Sequence, residues 1–152
     1  MNTMAAAGSA VAGPDLAGPD LAGPAGPLAC RTRLTPGPVA AAQARRQVQA
    51  VIAAWGVNVD ADVAVLLTSD LVTHAIRHAP GGAVILGIRC TSRQLRVDVH
   101  DCARTPLMPV GVKAGPSLVL VASLSAEWGR YQTPAGKAVY FTLAVQPDLA
   151  AV

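Results

Sequence analysis

Polar side chains interrupt an otherwise apolar helical segment between residues 68 and 79. Asp70, His74 and the Arg77-His78 pair are spaced by three or four residues, so they share one helix face over two turns. A further carboxylate, Asp101, ends a segment of alternating apolar and polar residues that is typical of a β-strand. Because ligands are commonly held where strands end, this combination predicts a ligand-binding site.

The sequence also allows other interpretations of the same residues. His74 and His78 have the i,i+4 spacing of a helical zinc pair, and His100 is a conceivable third ligand. The glutamate that metalloproteases place between such histidines is missing here. Taken singly, Asp70 and His74 also fit an ordinary i,i+4 helix pair, and Asp101 fits a strand-end cap.

Hydrophobic periodicity predicts the elements that must position these residues. The first helix has an apolar stripe from Ala41 to Trp55 and ends at Gly56. The second begins at Asp60 or Asp62, and the third covers residues 117–127. Leu66 in the second helix and Leu124 in the third are assigned to the buried stripes, and strands are predicted at 28–34, 84–88, 95–100, 128–132 and 137–145.

This order of elements predicts an α+β fold. Adjacent strands that pair as hairpins indicate a two-layer sandwich, in which helices pack on one face of a mostly antiparallel, mixed sheet. The domain is expected to span residues 28–147, followed by a tail at 148–152. The leader, residues 1–27, repeats the motif AGPDL and predicts a flexible segment that is either inert or a docking arm.

Composition excludes several classes of function. The chain has a formal charge of +3, but its basic residues are scattered, and it contains only one Phe, two Tyr and two Trp. A nucleic-acid interface and an aromatic membrane belt are therefore not expected. No basic signal region or long apolar stretch is present in the printed sequence, and the three cysteines form no C-x-x-C pair, so we expect a cytoplasmic protein with reduced thiols.

Five short motifs carry a resemblance to a known family. In chain order they are Ala44-Arg45-Arg46 with Trp55-Gly56, the helix 69–79, the segment 97–101, the segment 126–129 and the hairpin segment 136–141. Together they resemble the anti-sigma-factor serine/threonine kinases, a group within the histidine kinase, gyrase and Hsp90 ATPase superfamily. The resemblance spans residues 28–145 and indicates a divergent member of the actinobacterial type. It implies the histidine-kinase-type ATPase fold.

The resemblance assigns roles in the second helix. The family helix usually reads Ser-Glu-Leu-Val-Thr-Asn, where Glu prepares the attacking hydroxyl group and Asn coordinates Mg²⁺. Asp70 stands at the Glu position and is the implied catalytic residue, with its carboxylate drawn back by one methylene. His74 stands at the Asn position and would be a poor magnesium ligand.

The resemblance also implies a nucleotide site. Asp101 corresponds to the family residue that accepts a hydrogen bond from the adenine amino group, and Ala103 follows where relatives carry glycines. The phosphate lid of relatives reads Gly-x-Gly-Leu, and here Gly115, Pro116, Ser117 and Leu118 stand in its place. Pro116 removes a backbone donor, for which the Ser117 hydroxyl or Lys113 would compensate; Lys113 alone also fits a solvated loop charge.

Two functions follow from the resemblance. The first is an ATP-binding regulatory protein with a degenerate Mg-ATP site, which binds a sigma factor or an anti-anti-sigma protein and retains weakened kinase activity or none. The second is a nucleotide-free interaction module that sequesters the same partners. Arg45 and Arg46 are candidate partner contacts, although they also fit solubilising charges. The chain could also form a homodimer.

Overall fold

The computed structural model describes residues 28–78, 82–102 and 116–147, apart from the side chains of Pro116 and Ser117. The strands are β1 (Leu28–Leu34), β2 (Val84–Cys90), β3 (Gln94–Asp101), β4 (Glu127–Thr133) and β5 (Gly136–Ala144). The helices are α1 (Ala40–Trp55), α2 (Ala61–His78) and α3 (Pro116–Leu124). Within these ranges, no helix combines the length and the apolar character that a membrane span requires.

The five strands form one sheet in the order β1-β2-β3-β5-β4. The predicted α+β class is confirmed, but the expected mixed sheet is wrong for the described pairings, which are all antiparallel. The reason lies in the connections. Leu34 at the end of β1 pairs with Val84 at the start of β2, so α1 and α2 lead the chain away from that end and back to it. In the same way, Asp101 ends β3 opposite Lys137, at the start of β5.

The sheet has two different faces. The inner face, which includes Leu86, Val97 and Phe141, packs against the apolar sides of all three helices in one core. Phe141 is the largest of the fully buried side chains. The outer face carries Arg96, Asp98 and the residues that alternate with the core positions, as the period-2 pattern predicts. The burial of the inner face is the main apolar stabilisation of the domain.

Local signals define the ends of α1 and α2. Gly56 follows α1 with φ of 64°, a left-handed conformation that glycine adopts without strain. Of the two predicted caps of α2, Asp60 is the one used. Its Oδ1 accepts the backbone N–H groups of Asp62 at 3.0 Å and Val63 at 3.2 Å, which satisfies two donors of the first turn.

Both ends of α3 and two positions assigned to the core differ from the prediction. Helix α3 begins at Pro116, which suits a first helical position because proline lacks an N–H group. It ends at Leu124 rather than at residue 127, because the Ala126 N–H group donates to the Thr142 carbonyl at 2.8 Å and the chain joins the sheet. Leu66 and Leu124, assigned to buried stripes, are 41% and 43% exposed. The helix stripes that face the sheet are narrower than the sequence suggests.

The outer face holds a buried ion pair. Arg96 donates from Nε to Oδ1 of Asp98 at 2.8 Å and from Nη2 to Oδ2 at 3.0 Å, and the Tyr131 hydroxyl donates to the same Oδ2 at 2.5 Å. The Arg96 guanidinium also lies 3.9 Å from the ring centroid of Tyr140. Asp98 is fully buried, so these donors compensate a desolvated carboxylate. The cluster ties β3 to β4 across β5.

The three cysteines, Cys30, Cys90 and Cys102, are free thiols. Burial raises the pKa of the Cys30 and Cys90 thiols. Both therefore stay protonated at neutral pH, which makes them poor nucleophiles.

Candidate functional site

Charged and polar residues gather at one end of the inner face. Asp101 is the last residue of β3, and Lys137 lies directly opposite it in β5. Arg130 of β4 also lies on the inner face. It pairs with Val139, which is two residues beyond Lys137 along β5. Helix α2 supplies His74 to this end. We call Asp101, Lys137, Arg130 and His74 the charged end of the sheet.

Asp101, the predicted adenine contact, is only 4% exposed. Its Oδ2 lies 3.7 Å from the Lys137 ammonium, which is also buried. Burying an uncompensated carboxylate would lower the stability of the fold, and the positive charge of the neighbouring lysine offsets this desolvation cost. Asp101 therefore has the burial that a discriminating ligand contact needs, together with a cation of the protein beside it.

Arg130 is a cation on the apolar side of an edge strand. The Nε and Nη2 atoms of its guanidinium are buried and have no hydrogen-bond partner among the described residues. Burial also lowers the pKa of Arg130, although an arginine stays charged at any physiological pH. Two buried donors on a permanent cation are well suited to an anionic ligand.

His74 is half-buried on α2, and its ring lies 4.2 Å from that of His78, centroid to centroid. Burial, together with the positive charges of its neighbours, lowers the pKa of His74 to about 4. In order of their effect, those neighbours are His78, Arg130, Lys137 and Arg77. His74 is therefore a neutral imidazole at pH 7, in a distinctly cationic environment.

Asp70, the predicted catalytic carboxylate, lies one turn before His74 on α2. Burial raises the pKa of Asp70, and its Oδ2 atom is buried without a hydrogen-bond partner among the described residues. The hydroxyl of Thr68, two residues earlier, is likewise buried and has no partner there. A carboxylate with one buried oxygen that no described donor satisfies is typical of a functional position.

Arg45 and Arg46, the candidate partner contacts, have different surroundings. The Arg45 guanidinium donates from Nη1 to the Ser69 hydroxyl at 3.0 Å in a partly buried contact between α1 and α2. Arg46 is exposed. Of the pair, Arg46 offers its charge freely to a partner, whereas Arg45 is already engaged within the domain.

Several predicted site residues fall beyond the description. Ala103, Lys113 and Gly115 lie outside the described residues, and only the backbone of Ser117 is described, in the first turn of α3. Leu118 is buried in the core, where its side chain packs with the other apolar residues of the inner layer.

The zinc interpretation is wrong in its third ligand. His100 alternates with Val99 and Asp101 in β3, so it lies on the outer face, whereas His74 and His78 belong to a helix on the inner face. The 28–78, 82–102 and 116–147 segments contain no group of three or more His, Cys, Asp or Glu residues that could hold a metal ion. The His100 ring is nevertheless buried, with its Nε2 atom lacking a partner in those segments.

The donor set also does not fit Mg²⁺. Magnesium is held by hard oxygen ligands in an octahedral shell. The charged end of the sheet presents an imidazole at the expected ligand position, and two cations, Arg130 and Lys137, lie close enough to lower the pKa of that imidazole. A divalent cation would be repelled there. We therefore assign no step of the chemistry to magnesium.

A second concavity lies at the other end of the sheet. It is formed by the start of α2, the end of α3 and the end of β5, and its lining includes Val63, Leu124 and Leu143. Among the described residues that line it, Asp60 is the one titratable residue, and its Oδ1 caps α2. Leu143 is six residues beyond Lys137 in β5, roughly 20 Å along an extended strand. This groove is therefore separate from the charged end.

Comparison with models of known protein families gives no match to this chain, and neither does comparison with curated proteins. The described residues define the class: they form an α+β domain with a five-stranded antiparallel sheet, three helices on one face, and a buried carboxylate beside a lysine at one sheet end. Sequence reasoning missed Arg130 and Lys137. Arg130 could have been noticed because it is a charged residue two positions after Trp128, so both lie on the same face of the strand, the one that the apolar Trp128 predicts to face the core.

Proposed function

We propose that this domain binds an adenine nucleotide at the charged end of the sheet and acts as a regulatory protein of the anti-sigma-factor kinase type. The observation that carries the proposal is Asp101, a carboxylate that is 4% exposed at the end of a central strand. A buried carboxylate discriminates between bases, because a base that offers it no donor loses a charge-assisted hydrogen bond that adenine would make.

The position of Asp101 supports the same ligand. Lys137 lies beside it, and Arg130 adds a second positive charge on the inner face, one strand beyond Lys137, so a base at Asp101 would have its phosphate groups on a cationic side of the sheet. His74 of α2 borders the site and is electrostatically coupled to both cations. The sigma factor or anti-anti-sigma protein as partner follows from the sequence resemblance, and Arg46 is the exposed arginine available to it.

One observation favours the alternative, a nucleotide-free interaction module. Lys137 already lies 3.7 Å from Asp101, so the carboxylate has an ionic partner without any ligand. If Lys137 stays paired with Asp101 in this way, a contact between Asp101 and adenine adds no binding free energy. The partner surface would then be the only function that the fold retains.

Calorimetric titration of the full chain distinguishes the two. We expect adenosine and ATP to bind, guanosine to bind at least about tenfold more weakly, and Asp101→Asn to lower adenosine affinity by about tenfold or more. Asp62→Asn is the matched control, because this exposed carboxylate in the first turn of α2 lies far from Asp101. No heat with millimolar adenosine or ATP, from a chain that unfolds cooperatively in urea, would leave the interaction module.

A kinase assay is informative only after binding is shown. Transfer to an anti-anti-sigma protein requires a base and a well-placed phosphoryl group, and Asp70 is the candidate base. We expect transfer to be slow or absent, because His74 stands where a magnesium ligand is expected. Phosphorylation that Asp70→Asn abolishes would establish an active enzyme.

A further inference from the structure

Arg130 is a cation on the inner face of the sheet whose buried donors are not explained by base recognition at Asp101. It lies on the inner face of β4, in alternation with Trp128, which packs against the core. Arginine is rarely placed with buried donors unless an anion or an acceptor meets them, because a desolvated charge is costly. The Nε and Nη2 donors of Arg130 meet no acceptor in the described part of the chain.

The charges around Arg130 are mainly of the same sign. Lys137 is on the neighbouring strand, and Arg77 and the two histidines are on α2. On the described elements at this end, the acidic groups are Asp101, which faces Lys137, and Asp70. The pKa of His74 responds to Arg130, Lys137 and Arg77, with no carboxylate among the causes of its shift. Neutral at pH 7, His74 still has one ring N–H group to donate.

The geometry matches what phosphate groups require of a protein. A guanidinium offers a planar fork of donors to phosphate oxygens, and an ammonium adds a point charge. Arg130 supplies the fork and Lys137 the ammonium, on adjacent strands and on the same face. Magnesium normally neutralises nucleotide phosphates, and this donor set does not suit it.

We infer that Arg130 binds the phosphate groups of a nucleotide directly, with Lys137 adding positive charge nearby and His74 a neutral donor, so that the bound form is the metal-free nucleotide. The inference rests on the proposed function for its adenine half, whereas the phosphate half stands on Arg130 and Lys137 alone. The cations of the protein take the place of the divalent ion in neutralising the phosphates. The ligand class is therefore an adenosine di- or triphosphate without magnesium.

The test is calorimetry on the full chain with four ligands: adenosine, ADP, ATP and tripolyphosphate. Each is titrated in EDTA and again with excess Mg²⁺. Arg130→Gln removes the guanidinium, and Arg130→Lys keeps the charge but loses the fork. Arg33→Gln is the matched control, since Arg33 is an exposed arginine of β1.

We expect ATP in EDTA to bind at least about tenfold more tightly than adenosine, and excess Mg²⁺ to weaken it. Arg130→Gln should lower ATP affinity by about 10- to 100-fold and leave adenosine within about twofold. Arg130→Lys should fall between the two, and Arg33→Gln should bind as the parent does. Near-ultraviolet circular dichroism of the aromatic residues and a urea transition verify that each variant is folded.

The outcomes separate this inference from the proposed function. Adenosine binding with no gain from phosphates, or ATP binding that requires Mg²⁺ or survives Arg130→Gln, would overturn the inference and keep the proposed function. Tripolyphosphate binding that Arg130→Gln abolishes, without adenosine binding, would support the phosphate site and reject the adenine site. Binding of none of the four ligands to the folded chain would overturn both.

Discussion

The Lys137 ammonium lies 3.7 Å from Asp101 Oδ2, where the last residue of β3 meets the start of β5. Both side chains are almost completely buried. The pair therefore links the stability of the sheet end to the residue that we propose as the adenine contact.

The two members of this pair should be energetically coupled. We expect Asp101→Asn to lower the free energy of unfolding by about 1–3 kcal/mol, because the buried Lys137 charge loses its carboxylate. The double variant Asp101→Asn/Lys137→Met should lose less than the sum of the two single variants. Urea unfolding of the four proteins measures this coupling, and strict additivity would contradict it.

His74 should make stability depend on pH. Its pKa in the folded chain, about 4, is below the ordinary value of 6.5, so the unfolded chain binds more protons between these values. The free energy of unfolding should therefore fall as the pH is lowered from about 6.5 to about 4. For this half-exposed ring we expect a contribution of about 1–2 kcal/mol after allowance for solvent screening.

The matched comparison for His74 is His74→Gln, measured by urea unfolding at several pH values. Burial also lowers the pKa of His100, which is retained in both proteins, so their difference isolates His74. The parent and the variant should diverge below about pH 6.5. Parallel pH profiles would show that His74 is not desolvated in the folded chain.

Asp70 should cost stability at neutral pH. Burial raises the pKa of its carboxyl group, so the ionised form is disfavoured in the folded chain. We expect Asp70→Asn to raise the free energy of unfolding by about 0.5 kcal/mol at pH 7, a small value because of solvent screening. The gain should vanish as the pH falls and the carboxyl group of the parent becomes protonated.

The control for Asp70 is Asp62→Asn, which neutralises an exposed carboxylate in the first turn of the same helix. That carboxylate interacts favourably with the helix N-terminus, so its loss should be neutral or slightly destabilising. Chemical denaturation compares the two variants directly. Equal effects of the two substitutions would argue against a desolvated functional carboxylate at position 70.

Gly129 is required for steric reasons that lie in the neighbouring strand. A Cβ atom there would lie 2.9 Å from Cε1 of Tyr140, whose ring packs against the Arg96 guanidinium. We expect Gly129→Ala to lower the free energy of unfolding by about 1–2 kcal/mol, because the ring must move off the cation. In a Tyr140→Leu background the same substitution should cost less than about 0.5 kcal/mol, and a thermal unfolding series measures both.

The elements were predictable because their signals are local. The apolar stripe of α1 and its end at Gly56, the cap of α2 at Asp60, and the alternation in β3 all depend on residues within a few positions of one another. The end of α3 was not predictable in this way. The backbone of Ala126 bonds to Thr142 in β5, a partner that the local pattern does not contain.

The candidate site divides in the same way. Asp70, His74 and Asp101 could be selected from their spacing and from the motifs that surround them, but Arg130 and Lys137 could not be placed beside them. That juxtaposition depends on the order β3-β5-β4 and on a register in which Asp101 meets Lys137 and Arg130 meets Val139. A shift of one residue would turn every side chain of a strand to the other face.

The sequence by itself thus determined the α+β class, the positions of the helices and strands, and the residues of α2 and β3 that could carry chemistry. The tertiary structure alone decided which charges meet. It separated His100 from His74 by the thickness of the sheet, and it brought the Lys137 ammonium to within 3.7 Å of the buried carboxylate of Asp101. The physical reason is that strand register and layer packing arise from contacts between distant parts of the chain, which hydrophobic periodicity within a single segment does not encode.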